Sequence, residues 1–235
     1  MYWYLSHICS THLGHIDRIR TFTAATMKRS LSSLAGKKSH ALAQQLSIQR
    51  SLRLLERLTT HIVAVDAFAI SMHALYVLLA RHNVLPTASS AQAYSTDRLR
   101  YELRMKPFLP ISLPELVPFE EFHREAILEG DSDAIVLDRA TRAISEARKA
   151  WEATLAHGPF LPDSQGKVST APAIEEDWKR DVKDTMKACI GASISIETVK
   201  KALGSSPVEL RVEIPGVGCK GRWHDWWAVP QVSPK

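Results

Sequence analysis

Apolar residues recur at three- and four-residue spacing through the first two-thirds of the chain, and glycine is scarce before residue 130, the pattern of amphipathic helices. Trp3, Leu5, Ile8, Leu13, Ile16 and Ile19 predict a first helix that begins at the first residue without a capping signal. So abrupt a start is expected of a chain cut from something longer. The pattern breaks between Gly36 and Ser39. From Ala41 to Leu85 it predicts one long helix, or a pair joined near Thr59-Thr60, with a buried stripe of Leu42, Leu46, Leu52, Leu55, Leu58, Ile62, Val65, Phe68, Met72 and Leu75.

A Pro/Ala/Ser stretch from His82 to Ser95 predicts a loop, after which Ser95-Thr96-Asp97 caps a short helix through about Met105. Prolines 107, 110, 114 and 118 each lack an amide donor and restrict the preceding residue, so that span is expected to be an extended arm. Helices are expected again over Glu120 to Glu129 and Asp133 to His157, the second opening on acids that suit the helix dipole. Gly158 to Pro172 reads as a linker. Two further helices follow, Ile174 to Cys189 and Ser195 to Leu203, the latter ended by Gly204. After Pro207 the period drops to two: Val208, Leu210, Val212 and Ile214 alternate with charged residues and predict a strand, which a second extended segment, Arg222 to Val232, would pair. The expected fold class is mainly α, with a proline-rich extended arm and a small C-terminal β-hairpin-like element. Long helices are expected over 1–85, a loop, short helix and arm over 86–118, helices over 119–204 and the β element over 207–232.

At 235 residues, 45% of them apolar, the chain suits one globular core and excludes both intrinsic disorder and a multi-domain enzyme. Its three cysteines, Cys9, Cys189 and Cys219, are odd in number and widely spaced, so neither a disulfide framework nor a zinc knuckle is indicated, and a reducing, cytoplasmic setting is expected. The N-terminus lacks a basic segment followed by an uninterrupted apolar run, so no secretory signal is expected. In the most apolar window, Leu58 to Ala80, His61, Asp66 and His73 make a buried helix the better reading than a membrane span. The net charge of +5 conceals a strong asymmetry. Nine bases face one acid between Arg18 and Arg57, whereas eight acids face only Arg124 between Glu115 and Asp138. Such segregation suits a surface facing a polyanion, or two faces meeting different partners; solvated helix faces are the bland alternative.

Candidate chemistry is sparse. Gly216 to Gly221 is a literal G-x-G-x-x-G after a strand, but Arg222-Trp223-His224-Asp225-Trp226-Trp227 makes no helix to present amides to a phosphate, so a connecting turn is preferred. His7, Cys9, His12 and His15 share a helix only partly on one face, which argues against a metal site. Elemental analysis without stoichiometric metal would dispose of a small metal-dependent enzyme. No G-x-S-x-G elbow is present, and Glu120-Glu121 and Glu175-Glu176, adjacent on helices, diverge by about 100 degrees. The aromatic ends, Tyr2, Trp3 and Tyr4, then Trp223, Trp226 and Trp227, divide evenly between core packing and partner contact.

Three segments carry a resemblance: Tyr2-Trp3-Tyr4-Leu5-Ser6; Asp97-Arg98-Leu99-Arg100-Tyr101-Glu102-Leu103-Arg104-Met105-Lys106-Pro107-Phe108 with its proline-rich continuation; and His224-Asp225-Trp226-Trp227-Ala228-Val229-Pro230. In this order they resemble the large auxiliary (Mak10-type) subunit of the NatC N-terminal acetyltransferase complex. The resemblance runs over nearly the whole chain and covers the C-terminal portion of that subunit. Its most specific element is Arg100, Tyr101, Glu102, Arg104, Pro107 and Phe108; Tyr2, Trp3, Tyr4, Trp223, Trp226, Trp227 and Pro230 are weaker. The resemblance implies a helical, non-catalytic scaffold that holds a catalytic acetyltransferase subunit and a small Sm-like subunit and helps place them at ribosomes. Acetyl-CoA and the chemistry would belong to the catalytic partner, which acts on nascent chains starting Met-hydrophobic; this chain would need no cofactor or metal, and no membrane is implied. Basic residues stand where the family has a lysine-rich insertion, so Arg18, Arg20, Lys28, Arg29, Lys37 and Lys38 are the expected contacts to ribosomal RNA. The rival reading is a basic helical RNA-binding module, motivated by the sequence pI of about 9.2.

Overall fold

In a computed structural model, the structure describes residues 2–33, 38–85, 97–103, 117–157, 172–204, 209–214 and 227–235; the side chains of 27, 28, 30–33, 38–44 and 172–175 are outside that description. Its elements are α1 (Tyr2–Ser33), α2 (Lys38–Arg81), α3 (Phe119–Ala126), α4 (Asp133–His157), α5 (Pro172–Gly204), β1 (Leu210–Glu213) and β2 (Gln231–Pro234). Residues 97–103 are also helical. The mainly α architecture with a small two-stranded C-terminal sheet is the one the hydrophobic pattern predicts.

Helices α1 and α2 pack antiparallel, with Tyr2 stacked on Tyr76, the Ser6 hydroxyl donating to Asp66 (2.6 Å) and Arg20 reaching Thr59 (3.5 Å). The inward face of α1 carries Tyr2, Cys9 and Ile16, seven residues apart. Ile19, one of the apolar residues that predict this helix, is 51% exposed, because the seam advances by sevens and Ile19 lies off it. Helix α2 is unbroken through Thr59-Thr60, so of the two readings the single long helix holds. Both hydroxyls fold back onto carbonyls one turn earlier, Leu55 and Glu56, and leave the helix ladder intact.

The core forms where α4 lies antiparallel on the C-terminal half of α2. His61 meets Trp151 edge to face, the Ser71 hydroxyl donates to the Ala140 carbonyl (3.0 Å), and Arg81 reaches Asp133. Ala64, Ala67 and Ala74 share the helix face of Ser71, which meets an α4 that itself buries Ala140, Ala143 and Ala147, and Phe68, Met72, Leu75 and Trp151 are buried with them. Burial falls away upstream of Ala64: the described side chains there are half-buried or exposed, Leu46 at 48% and Leu54 at 42%. Of the expected ten-residue stripe, Phe68, Met72 and Leu75 are buried, the members from Leu52 to Val65 are half-buried, Leu46 is exposed, and the Leu42 side chain lies outside the described residues. Over Gln45–Arg81, α2 is long and apolar enough to cross a membrane, but most of its most apolar eighteen-residue stretch is packed inside the protein.

Helix α5 adds the outer layer through two interleaved heptad rows, Val182, Cys189 and Ile196, and Thr185, Ala192 and Val199. It is one helix where the sequence predicts two. Gly191 costs about 1 kcal/mol in helix propensity, but buried residues on both sides hold the helix together. A β-carbon added at Gly191 would sit in ordinary contact, 3.8 Å from Val229. The strands pair antiparallel, Leu210 opposite Pro234 and Val212 opposite Val232. Buried Ser195 on α5 anchors the second strand, donating to the Pro230 carbonyl (2.6 Å) and accepting from the Val232 amide (3.3 Å). The linker, most of the proline-rich arm and Gly216 to Gly221 lie outside the described residues.

Candidate functional site

The two aromatic ends meet. The Tyr2 ring stacks between Tyr76 (5.8 Å) and Trp227 (6.4 Å), and Trp227 sets its edge against Phe68 (4.9 Å). The Tyr76 and Tyr2 hydroxyls both donate to the Ala228 carbonyl, at 2.7 and 3.3 Å. Burial pushes the Tyr2 phenol well above its ordinary range. Pro230 is fully buried. Tyr2 and Pro230 are therefore core, and Trp227 is half-buried against it, so for these three the core-packing alternative describes what is seen. Trp223 and Trp226 lie outside the described residues.

Trp3, one residue along α1, points to the other side. It stacks flat on His7 (5.3 Å) and stands steeply against Phe122 on α3 (4.8 Å, 73° between ring planes). Tyr101 from the 97–103 helical run stacks on the same Phe122 (4.4 Å), touches Phe119 and donates its hydroxyl to the Val117 carbonyl. Burial raises the Tyr4 and Tyr101 phenols, Tyr4 further through Tyr101 and Tyr101 further through Glu121. The most specific sequence block is thus docked by one ring, while its charged members stay at the surface: Arg100 pairs with Asp97 (3.4 Å), and Arg98 bridges Glu102 (3.0 Å) and Glu120 (3.4 Å). Arg104, Pro107 and Phe108 are outside the described residues. Sequence reasoning missed Phe119 and Phe122, although aromatics three residues apart at the start of α3 were a readable signal.

A clasp holds α3 to the core. Arg81, at the end of α2, donates to the carbonyls of Ile127 (3.1 Å), Leu128 (2.7 Å) and Asp131 (2.9 Å) and to the Asp133 carboxylate (3.0 Å). The guanidinium holds the Asp133 carboxyl below the usual carboxylate range, helped by His82 at 2.9 Å. His73 donates from Nε2 to the Ala126 carbonyl (2.6 Å), and its burial lowers the imidazole pKa. The intervening turn bends through Leu128 (φ 52°) and Gly130 (φ 86°), the left-handed region that favours glycine. Between this turn and α1 lies an open groove of about 950 Å3, with Trp3, His7 and Ile70 on one side and Glu121, Glu125 and Glu129 on the other.

The expected polyanion contacts sit elsewhere. Arg18 and Arg29 are exposed on the far part of α1, and Arg20 is half-buried between Asp17 (3.8 Å) and Thr59. Beside them on α2 stand Arg50, Arg53 and Arg57, with Phe22 of α1 73% exposed. Lys37 and the side chains of Lys28 and Lys38 are outside the description. Of the histidine and cysteine cluster, Cys9 faces the core, its thiol pushed up to about 12 by burial, whereas His12 and His15 are exposed. Among the described residues no three His, Cys, Asp or Glu side chains are placed to hold a metal ion.

Antiparallel helices that stack pairwise, with docked aromatic motifs and two oppositely charged faces, define a helical-hairpin scaffold. A family model described as NAA35-like, TPR repeats matches residues 1–229, and the chain belongs to that family. NAA35 is the auxiliary, non-catalytic subunit of the NatC N-terminal acetyltransferase. Comparison with curated proteins and with solved structures gives no match.

Proposed function

We propose that this chain is the C-terminal portion of a Mak10-type auxiliary subunit, a non-catalytic scaffold that supports the catalytic NatC subunit in the cytoplasm. In this reading a small Sm-like subunit completes the complex, which acetylates nascent chains beginning with Met and a bulky apolar residue, and acetyl-CoA is held by the catalytic partner. The observation that carries the proposal is the family match over residues 1–229. The helical-hairpin architecture supports it, since stacked helix pairs offer extended surface for docking. The basic end of the α1–α2 hairpin, with Arg18, Arg20, Arg29 and the neighbouring Lys28, Lys37 and Lys38, is the proposed contact to ribosomal RNA, where phosphate neutralisation gives salt-dependent binding.

Capture of the tagged chain from its source cells, followed by mass spectrometry, tests this. A protein of acetyltransferase fold is expected to dominate the list. R18E/R20E/K37E/K38E should lower ribosome co-sedimentation and leave recovery of that partner unchanged. Recovery of RNA and RNA-bound proteins without an acetyltransferase would favour the RNA-binding module instead.

A further inference from the structure

The acidic middle of the chain has no role in the reading above, and the groove it lines has a specific chemistry. Glu121 and Glu125 on α3 and Glu129 in the following turn succeed one another at four-residue spacing, and all three are exposed and, among the described residues, without an ion pair. Their neighbours differ. Asp97, Glu102, Glu120, Asp131, Asp133 and Asp138 are each paired to Arg98, Arg100, Arg81, Arg139 or Arg142. Inside the groove Arg139 is taken up by Asp131 at 2.9 Å, which leaves three carboxylates against Arg124. Facing them is an aromatic shelf, Trp3 stacked on His7, with Ile70 beside it. A row of carboxylates opposite an aromatic face matches a cationic side chain twice, by charge and by cation–π stacking, and the apolar floor adds area for a hydrophobic neighbour.

We infer that this groove docks a cationic, amphipathic segment of a partner protein, with arginine or lysine side chains along the Glu121-Glu125-Glu129 row and an apolar side chain over Trp3 and Ile70. The chain as a whole carries +5, so its mean field repels such a segment, and attraction has to be local to the groove. The inference stands on the groove alone and does not depend on which acetyltransferase the chain serves.

The probe is a fluorescein-labelled helical peptide with arginines at i, i+4 and i+8 and leucines on the opposite face, titrated into the full chain by anisotropy. A scrambled peptide of the same composition and an analogue with glutamate for arginine serve as controls. Saturable binding is expected for the first peptide, about tenfold weaker for the scramble, weakening with salt and undetectable for the glutamate analogue. E121K/E125K/E129K should weaken binding about tenfold or more while the chain stays folded by circular dichroism, because all three side chains are exposed; W3A should weaken it several-fold. E146K/E152K, reversing exposed acids outside the groove on α4, should change nothing. The inference is overturned if no peptide binds, if E146K/E152K weakens binding as much as the groove reversals, or if sedimentation shows a dimer that E121K/E125K/E129K dissolves, which would make the occupant a second copy of this chain.

Discussion

From His61 to Arg81, α2 is gripped by α1, α4 and α5 and buries Phe68, Met72, Leu75, Leu78 and Leu79; from Gln45 to Thr60 the same helix buries no side chain completely and exposes Leu46 and Leu54. The two halves differ little in helix-forming composition. What separates them is what they meet: an alanine-rich face lets α4 close on the second half, whereas Arg50, Arg53 and Arg57 keep the first half in water. One continuous helix therefore joins a core to a charged surface. Rigid coupling of that kind suits a scaffold, because a partner held at one end is positioned relative to the other.

Substitution should register this difference directly. Trp151→Ala, opening a cavity at a fully buried site, is expected to cost about 3–5 kcal/mol in chemical denaturation, whereas Leu54→Ala on the exposed half should stay within about 0.5 kcal/mol. Similar losses at both sites would show that the exposed half is covered in solution. Next in size is Arg81→Met, expected to cost about 2 kcal/mol because three turn carbonyls and Asp133 lose their donor together. It should also raise hydrogen exchange in residues 119–130 while leaving α4 and α5 protected. The smallest effect is pH-dependent. Burial lowers the pKa of His61 and His73 in the folded chain below the ordinary 6.5, so the unfolded chain binds protons first. Their contribution is full above about pH 6.5 and is lost as the pH falls below it. The denaturation midpoint should drop between about pH 7.5 and 5.5, and less so in H61N/H73N; equal slopes would remove the assignment.

Much of this architecture was legible beforehand. The span Asp133–His157 follows from its periodicity and acidic start, and the switch to a period of two marks the strand at Leu210. The errors share a cause. The split near Gly191 and the full length of the stripe on α2 follow local preference in the sequence, and tertiary contact overrides both. The candidate sites were less accessible. The Arg81 clasp joins residues about fifty positions apart, and Tyr2 meets Trp227 across nearly the whole chain, so neither has a spacing signal. The acidic row was visible as charge, but its aromatic counterpart comes from α1, and only the fold brings the two together.

As proposed above, this chain supplies docking surface to a separate catalyst and makes no bonds itself. Acetyl transfer from acetyl-CoA to a peptide starting Met-Leu measures this most directly, with the purified chain alone and after co-expression with an acetyltransferase-fold partner recovered by capture. No turnover above buffer is expected for the chain alone, and turnover is expected for the co-purified complex. Turnover by the lone polypeptide would contradict the proposal.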